Sequence, residues 1–281
     1  MTASPALRDL LRLAATVVPG LSGVIADRAS AAPCDCNKAS SRAVYRYPAP
    51  GESNDDDRDH DGNRAALEAL LAHWRDAYPE AGRMYWSLRC WGILIWQPIY
   101  LSVIGVHSAQ RVLSLASFEQ PIEHGWTREV RVPDHEPACG ETNALIERAA
   151  QEISTCCKRI FDELSRVIPV NAHAAACMQA DCVLAALLAV RAVRPDWQRD
   201  GHHVQLEALG ARWLAALSLD ERSGFFAYAR SDHSRALALD RQTCCYHYRR
   251  RDGELCSTCP RLSKCERIAR LNRDHDAEAP A

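Results

Sequence analysis

Four cysteines near the C-terminus, Cys244, Cys245, Cys256 and Cys259, fall within the run RQTCCYHYRRRDGELCSTCPRLSKCER, residues 241–267. Thiolates at this density are enough to ligate one metal centre. Cysteines that only pack do so among apolar neighbours, whereas these lie among Arg, Asp and Glu. The adjacent pair discriminates between metals. Successive side chains of an extended chain point apart, which is awkward for a single tetrahedral zinc ion. Two irons taking two thiolates each accommodate divergent ligands more easily, so the geometry favours a [2Fe–2S] cluster, with zinc as the alternative.

The elements that must position these thiols are legible in outline. Asp252-Gly253 is a tight-turn dipeptide of the hairpin type. Folding the segment about it sets Cys245 opposite about residue 260, so the vicinal pair meets the Cys-x-x-Cys pair. Pro260 suits the first position of a helix, expected to continue through Leu262, Cys265, Ile268 and Ala269 with Cys265 on its apolar side. Arg249, Arg250, Arg251 and that helix start would favour the more negative, reduced cluster and raise its potential. His247 is a candidate for coupling a proton to the electron, with a plain surface role as the alternative.

The body of the chain reads as helical. Leu7, Leu10, Leu11, Ala14, Val17 and Val18 have helical spacing. Asp9, Arg12 and Pro19-Gly20 interrupt what would otherwise resemble a signal peptide, so a cytoplasmic protein with reduced thiols is expected. Further helices are predicted over Leu67–Tyr78, about 141–168, 172–193 (apolar nearly all round, hence central and buried) and about 197–218. Cys90–Gln110 is free of formal charge, but Pro98 should break or kink it, giving two shorter buried helices rather than a membrane span. Residues 112–132 suggest a small hairpin with QPIEHG as its turn. The fold class is mainly α with a minor β-hairpin element, a helical body carrying a small C-terminal module. The expected divisions are an N-terminal helical segment 1–47, an acidic loop or linker 48–63, a helical body 64–235, the metal module 236–273 and a tail 274–281.

Composition limits the function classes. The chain of 281 residues carries 34 Lys+Arg against 36 Asp+Glu, which argues against a nucleic-acid binder. Its 13 cysteines are too few in too long a chain for a disulfide scaffold. Cys156, Cys157, Cys177 and Cys182 are expected to be buried small hydrophobes, and Cys34, Cys36 and Cys139 to lie in loops. Trp86, Arg89, Trp91, Trp96 and Tyr100 could line a pocket for a bulky chelate, although their helical spacing equally suits core packing.

The spacing C-C-x10-C-x2-C resembles that of the bacterial FhuF-like ferric-siderophore reductases, and RMYWSLRCWGILIWQPIYL is similar to a helical segment of those relatives. The resemblance implies that Cys244, Cys245, Cys256 and Cys259 hold a [2Fe–2S] cluster. It further implies one-electron reduction of siderophore-bound Fe(III), releasing Fe(II) in the cytoplasm. With no Gly-rich flavin or nicotinamide fingerprint, electrons would come from an external donor, a ferredoxin or reductase. Peripheral contact with the inner face of the membrane or a siderophore transporter fits the same role. The rival readings are a zinc-binding interaction module, an iron–sulfur sensor without turnover, and a siderophore-biosynthesis enzyme, which would need a phosphate loop not seen here.

Overall fold

The structure is a computed structural model describing residues 3–26, 43–47, 56–198 and 202–278. In chain order it contains α1 (Pro5–Val17), β1 (Gly23–Ala26), β2 (Ala43–Tyr47), α2 (Asp56–Ala77), α3 (Gly82–Ile104), β3 (Arg111–Val112), β4 (Phe118–Glu123), β5 (Trp126–Thr127) and β6 (Val130–Pro133). There follow β7 (Ala138–Cys139), α4 (Thr142–Val167), α5 (Ala172–Val193), α6 (Pro195–Gln198), α7 (His202–Ala216), the hairpin β8 (Phe225–Ala229) and β9 (Arg235–Leu239), and α8 (Lys264–Glu278). The fold is mainly α, as the apolar spacing predicts.

The helices form where sequence places them. Ser4 caps α1 by accepting from the Leu7 N–H at 3.3 Å, with Pro5 in the first turn, and the helix buries Leu7, Leu10, Leu11, Ala14 and Val17. Asn171 caps α5 in the same way, accepting from Ala174 N–H at 2.9 Å. Around α3 pack α1, α2, α4 and α5, so the charge-free segment is the axis of the core. By length and composition Pro79–Ala109 and α5 are both long and apolar enough to cross a membrane. In the first, 83% of the apolar window is buried inside the protein, as expected of a core helix. In α5 only 44% is, so this helix is central along one face and half-covered along the other.

Pro98 does not break α3, contrary to the sequence expectation. A proline lacks the N–H that would bond the carbonyl four residues earlier, here that of Leu94. Gln120 on β4 supplies the missing donor, its Nε2 reaching Leu94 O at 3.1 Å and Gln97 Oε1 at 2.9 Å. Gln97 in turn donates to Arg128 O, and Thr127 Oγ1 donates to Ile93 O at 3.2 Å. The neighbouring sheet thus satisfies the backbone that proline leaves open, and the helix continues.

That sheet is larger than a hairpin. Its order is β1-β6-β4-β2, with β1 and β6 parallel and β5 paired to β4. Gln120 to Glu123 belong to β4, and the turn is only His124-Gly125, both at positive φ. The β8–β9 hairpin, within and beyond the expected helical body, had no predicted counterpart. Of the expected acidic loop, 48–55 lies outside the described residues, while 56–63 is helical. Asn63 in α2 is buried and bridges two elements: it accepts from Arg46 N–H at 2.8 Å and donates to Glu163 Oε2 at 3.1 Å. These contacts fold the polar stretch onto β2 and α4. The divisions at 235/236 and 273/274 likewise fall inside β9 and α8.

Beyond α3 the chain continues in a π-helical turn, Gly105–Ala109, tight enough that a Cβ on Gly105 would lie 2.7 Å from Arg111 O. Buried His107 sits in this turn, its Nε2 accepting from Trp213 Nε1 at 2.8 Å and its carbonyl from Arg194 at 2.6 Å. Burial, with Arg194 nearby, lowers its pKa to about 4.

Two outcomes follow for stability. Gln120→Leu should strand the Leu94 carbonyl and cost about 1–3 kcal/mol in denaturant unfolding, and adding Pro98→Ala should recover part of the loss. For His107 the folded pKa lies below the unfolded one, so the unfolded chain binds the extra proton first. Stability should therefore fall as pH drops from 7 towards 4, by about 3 kcal/mol from this residue. Urea titrations of His107→Gln across that range should show a shallower slope.

Candidate metal centre

The module starts where β9 ends. Tyr246 adopts a left-handed conformation (φ 59°), so the chain reverses immediately after the vicinal pair, and its N–H donates to Cys244 Sγ at 3.4 Å. A 3-10 turn, His247–Arg249, follows. Gly253 packs against that turn so closely that a Cβ would sit 2.1 Å from His247 O, which is why the turn dipeptide ends in glycine. Cys256 and Cys259 then form a tight turn of their own, closed by Cys259 N–H to Cys256 O at 2.9 Å.

The two halves meet as the turn predicts, although by turns and a 3-10 element rather than a β-hairpin. Cys244 Sγ lies 3.7 Å from Cys259 Sγ, and Cys245 interacts electrostatically with Cys256. A tetrahedral metal with sulfur bonds of about 2.3 Å has an edge of about 3.8 Å, so the first separation is that of two thiolates on one metal. Each pair joins one vicinal cysteine to one from Cys-x-x-Cys. Among the described residues no three His, Cys, Asp or Glu side chains converge on a single ion position. This is the arrangement that two metals with two thiolates each require. The Cys245 proton supports negative charge on Cys256, lowering the Cys256 pKa to about 6 and raising that of Cys245.

The arginines divide by role in a way the sequence did not reveal. Arg250 bonds Asp252 at 2.7 Å and Tyr78 Oη at 2.6 Å. The Arg251 N–H donates to Glu80 at 2.8 Å, and its guanidinium to Ala77 O at 2.8 Å. Both anchor the module to the segment between α2 and α3. Arg249, expected to tune the cluster, is exposed and lies over the Tyr246 ring at 5.0 Å. The expected helix start is also displaced: α8 begins at Lys264, because Ser263 and Glu266 form a capping box. Cys265 is consequently exposed rather than core. The half-buried His247 has its pKa lowered by burial and then by Arg250 and Arg89.

The cation that does touch a sulfur is Arg241, whose Nη1 donates to Cys256 Sγ at 3.5 Å. Its Nε bonds Asp181 Oδ2 at 2.8 Å, and Ser223 Oγ holds the other carboxylate oxygen at 2.6 Å. Burial works against the Arg241 charge, but Asp181 and the thiols outweigh it and raise its pKa. A signal for this pair existed: Asp181 is the one acid in the apolar run AHAAACMQADCVLAALLAVRAV. Only the fold shows that Arg241 meets it.

The candidate substrate residues separate along α3. Trp91 is core, 2% exposed, its Nε1 donating to Ala175 O at 3.0 Å. Trp96 bonds Thr127 at 3.0 Å and meets Tyr100 edge-on at 5.9 Å, farther along α3 from the module. Trp86 donates to Tyr78 O at 2.8 Å. Arg89 lies between the indoles of Trp74 (4.5 Å) and Trp126 (4.2 Å) and interacts electrostatically with Tyr85, Arg250 and Cys245. Exposed Trp126, directly after the His-Gly turn, was missed. Of the remaining cysteines, Cys90, Cys156, Cys157 and Cys177 are buried, Cys182 half-buried and Cys139 exposed; Cys34 and Cys36 lie outside the described residues.

A guanidinium bonded to a cluster sulfur favours the more negative, reduced state and raises the potential. Arg241→Met should therefore lower the cluster potential by about 60 mV or more, a tenfold change in the one-electron equilibrium, in a mediated EPR titration. It also strands Asp181 and should cost about 3–5 kcal/mol. The double variant Arg241→Met/Asp181→Leu should recover folding while keeping the lowered potential.

No solved structure matches the chain. Residues 241–261 match the family model of the FhuF 2Fe-2S C-terminal domain. The match begins at Arg241 and contains all four thiols, and the donor set of two sulfur pairs fits the two irons of that cofactor. Over these residues the C-terminal module is similar to the FhuF 2Fe-2S C-terminal domain, and the match supports a [2Fe–2S] cluster in the region of the four cysteines.

Proposed function

We propose that the chain is a ferric-siderophore reductase whose cluster is held by Cys244, Cys245, Cys256 and Cys259. The observation that carries the reading is the pairing of thiols within a module matched to the FhuF 2Fe-2S domain. The bound cluster supplies a one-electron donor at low potential. One electron lowers Fe(III) to Fe(II), weakens its bonds to hard oxygen donors and lets the ion leave; no general base or nucleophile is required.

The chain's own residues would bind and orient the chelate. Arg89 has a guanidinium held between two indoles, and its buried Nε has no hydrogen-bond partner. Exposed Trp126 offers an aromatic face beside it, with Trp86 in the same part of α3. This combination suits a bulky oxygen-donor chelate on the side of the module where Cys245 lies. Trp91, Trp96 and Tyr100 have core or sheet contacts instead and drop out of the proposed site. Reduced thiols suit a cytoplasmic setting, and docking at the inner face of the membrane or on a siderophore transporter belongs to the same proposal.

The test is direct. Anaerobically purified protein, reduced and mixed with a ferric hydroxamate or catecholate in the presence of a ferrous trap, should lose its reduced-cluster EPR signal and release about one Fe(II) per cluster. Cys244→Ser should abolish or destabilise the cluster while helical content by circular dichroism is kept. Arg89→Ala should weaken chelate-dependent reoxidation with little change in cluster content. A colourless zinc protein would overturn the proposal. A reducible cluster that no ferric chelate reoxidises would point to a sensor.

A further inference from the structure

We infer that the surface formed by Arg249, Tyr246, Tyr248 and Arg261 is the docking face for an acidic electron-transfer protein that reduces the cluster. Residues 241–273 carry nine Arg and Lys against three Asp and Glu, in a chain whose net charge is −2. Most of these cations are engaged: Arg241 with Asp181, Arg250 with Asp252, Arg251 with Glu80, Arg267 with Asp240 and Arg270 with Glu254. The other four, Arg249, Arg261, Lys264 and Arg273, are exposed and form no ion pair among the described residues, and of these Arg249 and Arg261 stack on the tyrosines beside the thiols. They form the ends of a row of four side chains, with Arg249 over Tyr246 at 5.0 Å, Tyr246 6.5 Å from Tyr248, and Arg261 over Tyr248 at 5.0 Å.

The row borders the thiols directly. Tyr246 N–H bonds Cys244 Sγ at 3.4 Å, and Arg261 follows Cys259 by two residues. A partner seated there would lie within a few bonds of one thiol pair. Tyr246 and Tyr248 are half-buried between the two exposed cations; Arg and Tyr are enriched at protein interfaces, and cations without an ion pair steer an acidic partner towards them. Two cations set at opposite ends of the row suit a partner face that carries several carboxylates. The transfer balances simply: the reduced donor loses one electron, the oxidised cluster gains it, and no bond or proton need move.

The inference concerns entry of the electron and is tested without a siderophore, so it can fail independently of the proposed substrate. An acidic plant-type [2Fe–2S] ferredoxin serves as the probe. Calorimetry with both proteins oxidised should show binding that weakens with salt, and Arg249→Glu/Arg261→Glu should weaken it at least about tenfold at low salt. In stopped-flow mixing with reduced ferredoxin, the same variant should reduce its cluster correspondingly more slowly, while reduction by photoreduced deazaflavin, a neutral small molecule, keeps its rate. Arg249→Lys/Arg261→Lys should retain binding, and Arg249→Gln/Arg261→Gln should lie between. Unchanged ferredoxin binding in the Glu variant would overturn the inference. So would equal slowing with deazaflavin, which would mean an altered cluster rather than a lost docking face.

Discussion

The contact between Arg241 and Asp181 joins the two parts of this protein. Asp181 lies in an otherwise apolar helix, where an isolated carboxylate would be costly. Arg241 and Ser223 satisfy it, at 2.8 and 2.6 Å, and Arg241 also reaches Cys256. One buried charge on the body therefore fixes a charge on the module, and that charge lies against a sulfur. The coupling is demanding in both directions, because removing either member leaves its partner buried and unpaired.

The remaining module contacts follow from that anchor. Arg250 and Arg251 tie the turn after the vicinal cysteines to Tyr78, Ala77 and Glu80, at the entrance to α3. The far side is tied by Arg267 to Asp240 and Arg270 to Leu255 O. A segment with little regular structure is thereby held in one conformation by charged hydrogen bonds. These contacts fix the turns that bring Cys244 Sγ to 3.7 Å from Cys259 Sγ. Arg89 on α3 and its flanking indoles, Trp74 on α2 and Trp126 on β5, also belong to the body, which thus contributes both the support and the proposed substrate face.

The regular helices and the thiol motif were largely legible. The apolar stripes of α1, α4 and α5 are strong periodic signals, and a vicinal cysteine pair followed by Cys-x-x-Cys has few structural explanations. Two expectations failed for one common reason, a long-range partner that local rules do not contain, and a third failed for a local one. Pro98 sits inside α3 because Gln120 and Thr127 serve the neighbouring carbonyls. The polar stretch before Leu67 is helical where Asn63 docks on Arg46 and Glu163. The helix after Cys259 starts late because Ser263 and Glu266 cap each other, a local signal that prevails over Pro260.

The sequence alone determined the cofactor class, because the residue types and spacing of the four ligand candidates are local and chemically restrictive. It also determined that a helical body carries them. Only the tertiary structure decided which cations act where. Of three consecutive arginines, two anchor and one forms no ion pair among the described residues, and the one that reaches a sulfur comes from outside the run. The physical reason is that an arginine's role depends on which acceptors surround it in space, and those acceptors, from Asp181 to Tyr78, are far away along the chain.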